Sequence, residues 1–187
     1  MNNCPITFKV QIEQKKINLI EKANELPNIK IDWQEPITIK CTELTTFENV
    51  QNTEFYNVIY NNNKSAAIYY FKIVSTHSPS AIFDLIKEHK KNPNTNCPKI
   101  DKHRDLQSKY LYCGSVKKDI HTRFKQHIGF GSEKTYTLKL LDWATATNLE
   151  LRFYYGLIKP EYKEYTELLE SCLAEKIKPL VGKIEKF

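Results

Sequence analysis

The chain has 187 residues, 41% hydrophobic and 27% charged, with a formal net charge of +6 at pH 7. That length allows one domain with a real core and an added lobe, and no apolar run of about 18 residues is present to cross a membrane. Five cysteines (4, 41, 97, 113, 172) include no C-x-x-C pair and are odd in number, which excludes the usual zinc and disulfide patterns and fits a reducing cytoplasm.

MNNCPITFKVQIEQ lacks the basic-then-apolar layout of a secretory signal, so a cytoplasmic protein is expected. QIEQKKINLIEKANEL (11–26) sets Ile12, Ile17, Leu19 and Ile20 among charges, as an amphipathic helix does. PITIKCTEL (36–44) alternates like a strand. FYNVIY (55–60) and AIYYFKIV (67–74), joined by NNNKSA, read as a hairpin with an Asn-rich turn. SPSAIFDLIKEHKKN (78–92) has a Ser/Pro start and apolar spacing at Ile82, Phe83, Leu85 and Ile86, which predicts a helix. A polar loop (92–105) leads to the strand KYLYCG (109–114) and the helix DIHTRFKQHI (119–128), which GFG stops. TYTLKLLDWA (135–144) reads as a short helix and NLELRFYYG (148–156) as a strand. PEYKEYTELLESCLAEKIKP (160–179) opens on proline, with Glu early and Lys late, as the helix dipole favours. The expected fold is α/β: a small, mostly antiparallel, three-stranded sheet flanked by helices. Residues 1–60 form an N-terminal extension for substrate or partner binding. The domain proper is 61–187, with a helical insertion (78–105) between its first two strands.

Charge is uneven along this order. Residues 1–60 hold six Lys or Arg against eight Asp or Glu, residues 61–140 hold fifteen against six, and residues 141–187 hold seven against eight. A basic middle third suits a polyanion. A chain rich in Lys, Asn and Ile can also acquire that bias from base composition alone. Within the basic third, Arg123 and His127 lie one helical turn apart and share a helix face. Tyr110 and Tyr112 share a sheet face, Tyr69 lies on the preceding strand, and Glu170 lies mid-helix.

Together these residues resemble the motifs of the GIY-YIG nucleases. Ala67-Ile68-Tyr69 is similar to the first motif and Tyr112-Cys113-Gly114 to the second. Arg123 and His127 look like the arginine and the His or Tyr that follow in that family, and Glu170 with Pro179 like its C-terminal glutamate and proline. The resemblance covers roughly 65–183 and says nothing about 1–60. Ala67 stands where the family has glycine. Leu180-Val181-Gly182-Lys183 stands where it has an asparagine, and the gap between the two tyrosine motifs is about forty residues.

The resemblance implies metal-dependent cleavage of phosphodiester bonds in nucleic acid, with duplex DNA as the favoured substrate. The residue types suit that chemistry. Arginine's planar fork binds two phosphate oxygens and keeps its charge, so Arg123 would stabilise the transition state. One carboxylate, Glu170, would hold Mg²⁺, or Mn²⁺, with waters and substrate oxygens as the other ligands. The resemblance makes Tyr69 the group that takes the water's proton, with His127 accepting the phenolic proton and Tyr112 orienting water or phosphate. Direct action by His127 is the other assignment, because histidine titrates near neutral pH. Lys109, Lys117, Lys118 and Lys125 would form a solvated basic rim touching phosphates. Bland readings stand beside these. The tyrosines can be ordinary strand aromatics and His127 a surface histidine. Glu167 and Glu175 compete with Glu170, and Trp33 and Trp143 read as core. The alternative function is a non-catalytic nucleic-acid-binding module on the same fold.

Overall fold

The computed structural model describes residues 28–51, 53–62, 64–92, 96–100, 105–132 and 134–182, with scattered positions between 13 and 24. Chain contacts divide it into Met1–Lys30 and Ile31–Phe187. In the first unit the described positions from 13 to 24 are helical, with Lys16 Nζ 3.9 Å from Glu13 Oε2. The rest of the helix expected over 11–26 lies outside the described residues.

The second unit is built on strand β3 (Ala66–Ile73), which pairs antiparallel with β4 (Tyr110–Val116) on one side and β5 (Glu150–Ile158) on the other. The far edge of β5 carries two short antiparallel strands, β1 (Asp32–Trp33) and β2 (Ile37–Lys40). The sheet therefore has five strands rather than the three expected. The two additional strands come from the second half of 1–60, the stretch assigned to an extension, β2 within the run 36–44 expected as a strand, and the compact unit begins at Ile31. This pairing spans more than a hundred residues of sequence, which local patterning cannot reveal.

Aromatic and branched residues favour the pleated surface. In β3, Ala67, Tyr69, Phe71 and Ile73 alternate onto one face, which we call the cluster face. They pack there with Phe153 and Leu151 of β5, and with Phe124 and Ile128 of helix α4 (Ile120–Ile128). Phe71, Phe124 and Phe153 are fully buried. Each such side chain contributes about 1.5–3 kcal/mol of hydrophobic stabilisation. The opposite face carries Ile68, against which Leu169 and Leu173 of helix α6 (Thr166–Ile177) pack.

Helix α1 (Phe47–Gln51) and helix α2 (Glu54–Tyr60) precede the sheet's central strand. FYNVIY was expected as a strand; it forms α2 instead. Tyr56 and Ile59, three apart, are buried together, while Val58 and Tyr60 face out. Burial of that helical face outweighs the strand propensity of Val-Ile-Tyr, and Tyr56 sets its ring edge-on to Phe47 at 5.8 Å. The expected insertion helix is α3 (Pro79–His89), capped by Ser78, whose side chain accepts the Ala81 N–H. Residues 135–144 yield only α5 (Leu140–Trp143), and residues 160–165 form a 3-10 segment ahead of α6.

Helix α4 carries the residues of greatest interest. Asp119 caps it by accepting the Thr122 N–H at 2.8 Å. Gly129, at φ 113°, closes it in the left-handed conformation that lacks a Cβ penalty.

Candidate active site

Residues opposite each other in antiparallel strands share a face, and neighbours along a strand alternate. Tyr69 pairs with Gly114 and Phe71 with Tyr112, so all four lie on the cluster face, beneath α4. Arg123 and His127 reach down from α4 onto the same spot. His127 is fully buried, with its ring 4.9 Å from Tyr112 and 5.4 Å from Tyr69. The surface-histidine reading is thereby excluded.

Hydrogen bonds converge on one atom. Arg123 Nε–H donates to Tyr69 Oη at 3.0 Å, and His127 Nε2 lies 3.0 Å from the same oxygen. The backbone N–H of Leu138 points at His127 Nδ1, 3.2 Å away. A ring nitrogen that accepts carries no proton, so this contact assigns the proton to Nε2. His127 therefore donates to Tyr69. The expected direction, His127 accepting the phenolic proton, is corrected, because both ring nitrogens are already committed. Burial and the neighbouring Arg123 charge hold the His127 pKa well below its ordinary value, which keeps the ring neutral.

Burial pushes the Tyr69 phenol well above its usual range, the Tyr112 and Glu170 charges add to this, and Arg123 pulls it back. The resting phenol is protonated. Tyr112 is likewise raised by burial and drawn down by Arg123. Burial works against the Arg123 charge, but Tyr69 and Tyr112 outweigh it and its pKa rises. Arg123 also donates from Nη1 to Gln126 Oε1 at 3.1 Å and from Nη2 to the Tyr136 carbonyl at 3.4 Å. With Pro98, Lys99, Tyr112, Tyr136 and Gly182 it lines a cleft of about 240 Å³. A depression of about 530 Å³, with Lys64, Lys117, Lys118 and Lys163 in its lining, lies where β3 begins and β4 ends. It contains none of the four clustered residues, whereas Arg123 and Tyr112 line the smaller cleft; Tyr69 and His127 are fully buried.

The glycine of Tyr-x-Gly has a specific task. A Cβ on Gly114 would lie 2.6 Å from Tyr69 Oη and 2.9 Å from Tyr112 Cε1. Only glycine leaves both phenols their positions.

Glu170 departs from the expected convergence. Ser115 pairs with Ile68, so it lies on the face opposite Tyr69, where α6 packs. Ser115 Oγ–H donates to Glu170 Oε2 at 2.5 Å, at the sheet edge formed by β4. One residue step therefore separates Gly114, which touches Tyr69, from Ser115, which holds Glu170. The Glu170 charge still reaches both phenols and raises their pKa. Among the described residues no group of three or more His, Cys, Asp or Glu could hold a metal. A single carboxylate suits Mg²⁺, which keeps most of its waters, better than ions needing several protein ligands.

The basic residues divide. Lys109 and Lys118 are exposed. Lys117 pairs with Glu167 at 2.8 Å, and Lys125 sits over the Phe47 ring at 3.9 Å. Trp33, expected in the core, is 46% exposed. Sequence reasoning missed Gln126, Tyr136 and Ser115. Gln126 stands three residues after Arg123 on the same helix, and Ser115 directly follows the second motif, so spacing offered a signal for both. Tyr136 contributes a backbone carbonyl and offered none.

Comparison with family profiles, with curated proteins and with solved structures finds no match for this chain.

Proposed function

We propose that this chain is a metal-dependent nuclease of the GIY-YIG type that hydrolyses phosphodiester bonds, with DNA as the substrate. The observation that carries the reading is the Tyr69 oxygen, which receives hydrogen bonds from both Arg123 and His127. Two donors on a buried phenol oxygen favour its ionised form, which is what a base needs.

In this mechanism the fully buried Tyr69 would first release its phenolic proton to solvent water and would then take the proton of the attacking water. Ionising an ordinary phenol at pH 7 costs roughly 4 kcal/mol, from three pKa units. Burial adds to that cost, while Arg123 and His127 offset part of it without reorganising. The hydroxide formed attacks phosphorus, the bond to the leaving oxygen breaks, and that oxygen is protonated. Arg123 borders the cleft, where its guanidinium would meet the charge that builds on the phosphoryl oxygens. Tyr112 lines the same cleft and would orient the phosphate. Glu170, oriented by Ser115, would hold Mg²⁺, which when bound polarises the phosphate and stabilises the leaving alkoxide.

A second reading is a nucleic-acid-binding module without catalysis. The placement of Glu170 on a helix packed against the opposite face favours it. Incubation with plasmid DNA, single-stranded DNA and RNA in Mg²⁺ or Mn²⁺ separates the two. The nuclease reading expects cleavage that Glu170→Ala abolishes while binding persists, since basic residues supply most of the affinity. Binding with no cleavage of any of these substrates supports the module instead.

A further inference from the structure

We infer that the sheet face opposite the Tyr69 cluster is a second, separate site, a stacking platform for single-stranded nucleic acid. On that face four aromatic rings from four strands lie side by side. Tyr70 of β3 stacks on Tyr154 of β5 with ring centres 4.7 Å apart and planes 9° from parallel. A register shift between Phe71 and Lys72 puts Tyr110 of β4 on this face, not on the face of Tyr112 as expected, and it meets Tyr70 edge-on at 5.6 Å; Trp33 of β1 meets Tyr70 at 5.9 Å. The indole of Trp33 rests where Gly156 leaves the strand bare; a Cβ there would fall 3.1 Å from Trp33 Cδ2. Helix α6 covers Ala66, Ile68 and Ile158. The aromatic row is only partly buried, and Trp33 is 46% exposed.

Charge identifies the occupant. Lys72 and Arg152 sit directly opposite each other in the β3–β5 register, one step from the Tyr70–Tyr154 pair. Like charges so placed destabilise a sheet. Neither forms an ion pair with a described acid, and Lys72 Nζ instead lies 6.0 Å from the Tyr110 ring centre. Lys40 and Glu150 are register partners at the next position on this face, and Lys40 Nζ lies 3.6 Å from Glu43 Oε1. Two adjacent cations that cost the sheet stability, beside a row of partly exposed aromatic rings, match a chain of anions carrying flat apolar bases. Unpaired bases stack on aromatic side chains while the backbone phosphates meet Lys and Arg. Duplex DNA hides its base faces and cannot use the rings.

The surface does not depend on the nuclease reading, because it shares no residue with the Tyr69 cluster. The test uses the full chain in EDTA with a short oligothymidylate at low salt. Binding should quench tryptophan emission through Trp33, and Trp33→Phe should lose most of that quenching while the far-UV spectrum stays unchanged. Trp33→Ala and Tyr154→Ala should each weaken binding about tenfold, the typical loss of one base–aromatic stack. Arg152→Glu, a surface change that does not threaten the fold, should weaken binding comparably and flatten its salt dependence. Tyr69→Phe should bind as wild type. Failure of the oligonucleotide to bind, or equal affinity in wild type, Trp33→Ala and Arg152→Glu, overturns the platform. A loss of cleavage with normal oligothymidylate binding bears on the nuclease reading alone.

Discussion

His127 accepts the Leu138 backbone N–H at Nδ1, 3.2 Å away, and this contact alone decides what the ring can do for Tyr69. The ring is neutral, fully buried and held well below its usual pKa by burial and Arg123. In the unfolded chain it titrates near 6.5. Below that pH the unfolded state binds a proton that the folded state refuses, so folding stability falls as pH falls. The slope from this group approaches about 1.4 kcal/mol per pH unit. His89 and His121, also lowered by burial, act in the same direction. Urea unfolding at pH 7 and pH 5 should show a lower midpoint at pH 5, with a smaller drop in His127→Gln. An identical drop in the variant contradicts a neutral buried His127.

Gly114→Ala tests the close approach of the two phenols. The added carbon would fall 2.6 Å from Tyr69 Oη, so the tyrosine must move or the strand must bend. Overpacking of this kind costs about 1–3 kcal/mol. Thermal unfolding should show that loss, and cleavage should fall further than stability does, because Tyr69 leaves its two donors. Wild-type stability and wild-type cleavage together would show that the position tolerates a side chain.

Much of this site could be read from the chain. Tyr69 and Tyr112 lie on two strands, and Arg123 and His127 one turn apart on a helix; these three elements form as expected, and the four residues meet. The tautomer of His127 could not be read, because it is set by an amide eleven residues away in a loop. Glu170 sits on the expected helix, but which sheet face that helix covers depends on Leu169 and Leu173 meeting Ile68 across a hundred residues. Strand β2 was legible as the alternating run 36–44, but its pairing with β5, and β1 altogether, were hidden for a similar reason. Two and four residues long, β1 and β2 exist only because β5 offers an edge. FYNVIY misled because a short apolar run has no clear period until burial selects one.

Ser115→Ala removes the donor that orients Glu170. Partners that orient a metal ligand typically change metal affinity 10–100-fold. The Mg²⁺ concentration for half-maximal cleavage should rise by roughly that range, while the rate at saturating Mg²⁺ stays near wild type. An unchanged Mg²⁺ dependence would separate Glu170 from metal binding.

Arg123→Lys keeps the charge but loses the planar fork and the Nε–H that reaches Tyr69. The single-turnover cleavage rate should fall by roughly 10²-fold or more, the effect of losing one preorganised charge stabiliser. DNA affinity at fixed salt should fall much less. Equal small losses in both would make Arg123 an ordinary phosphate contact. A far-UV spectrum must show α4 intact, because a melted helix also displaces His127.

The most direct measurement is the pH dependence of single-turnover cleavage in wild type and Tyr69→Phe. With Tyr69 as the base and its phenol raised above its usual value by burial, the wild-type rate should climb with pH from neutrality toward pH 9 without a plateau near 6.5. Tyr69→Phe should lose about 10²–10⁴-fold, the usual contribution of a positioned base. It should also lose that pH dependence. Cleavage by Tyr69→Phe at the wild-type rate, or a wild-type profile that levels off near pH 6.5, would contradict Tyr69 as the group that activates water.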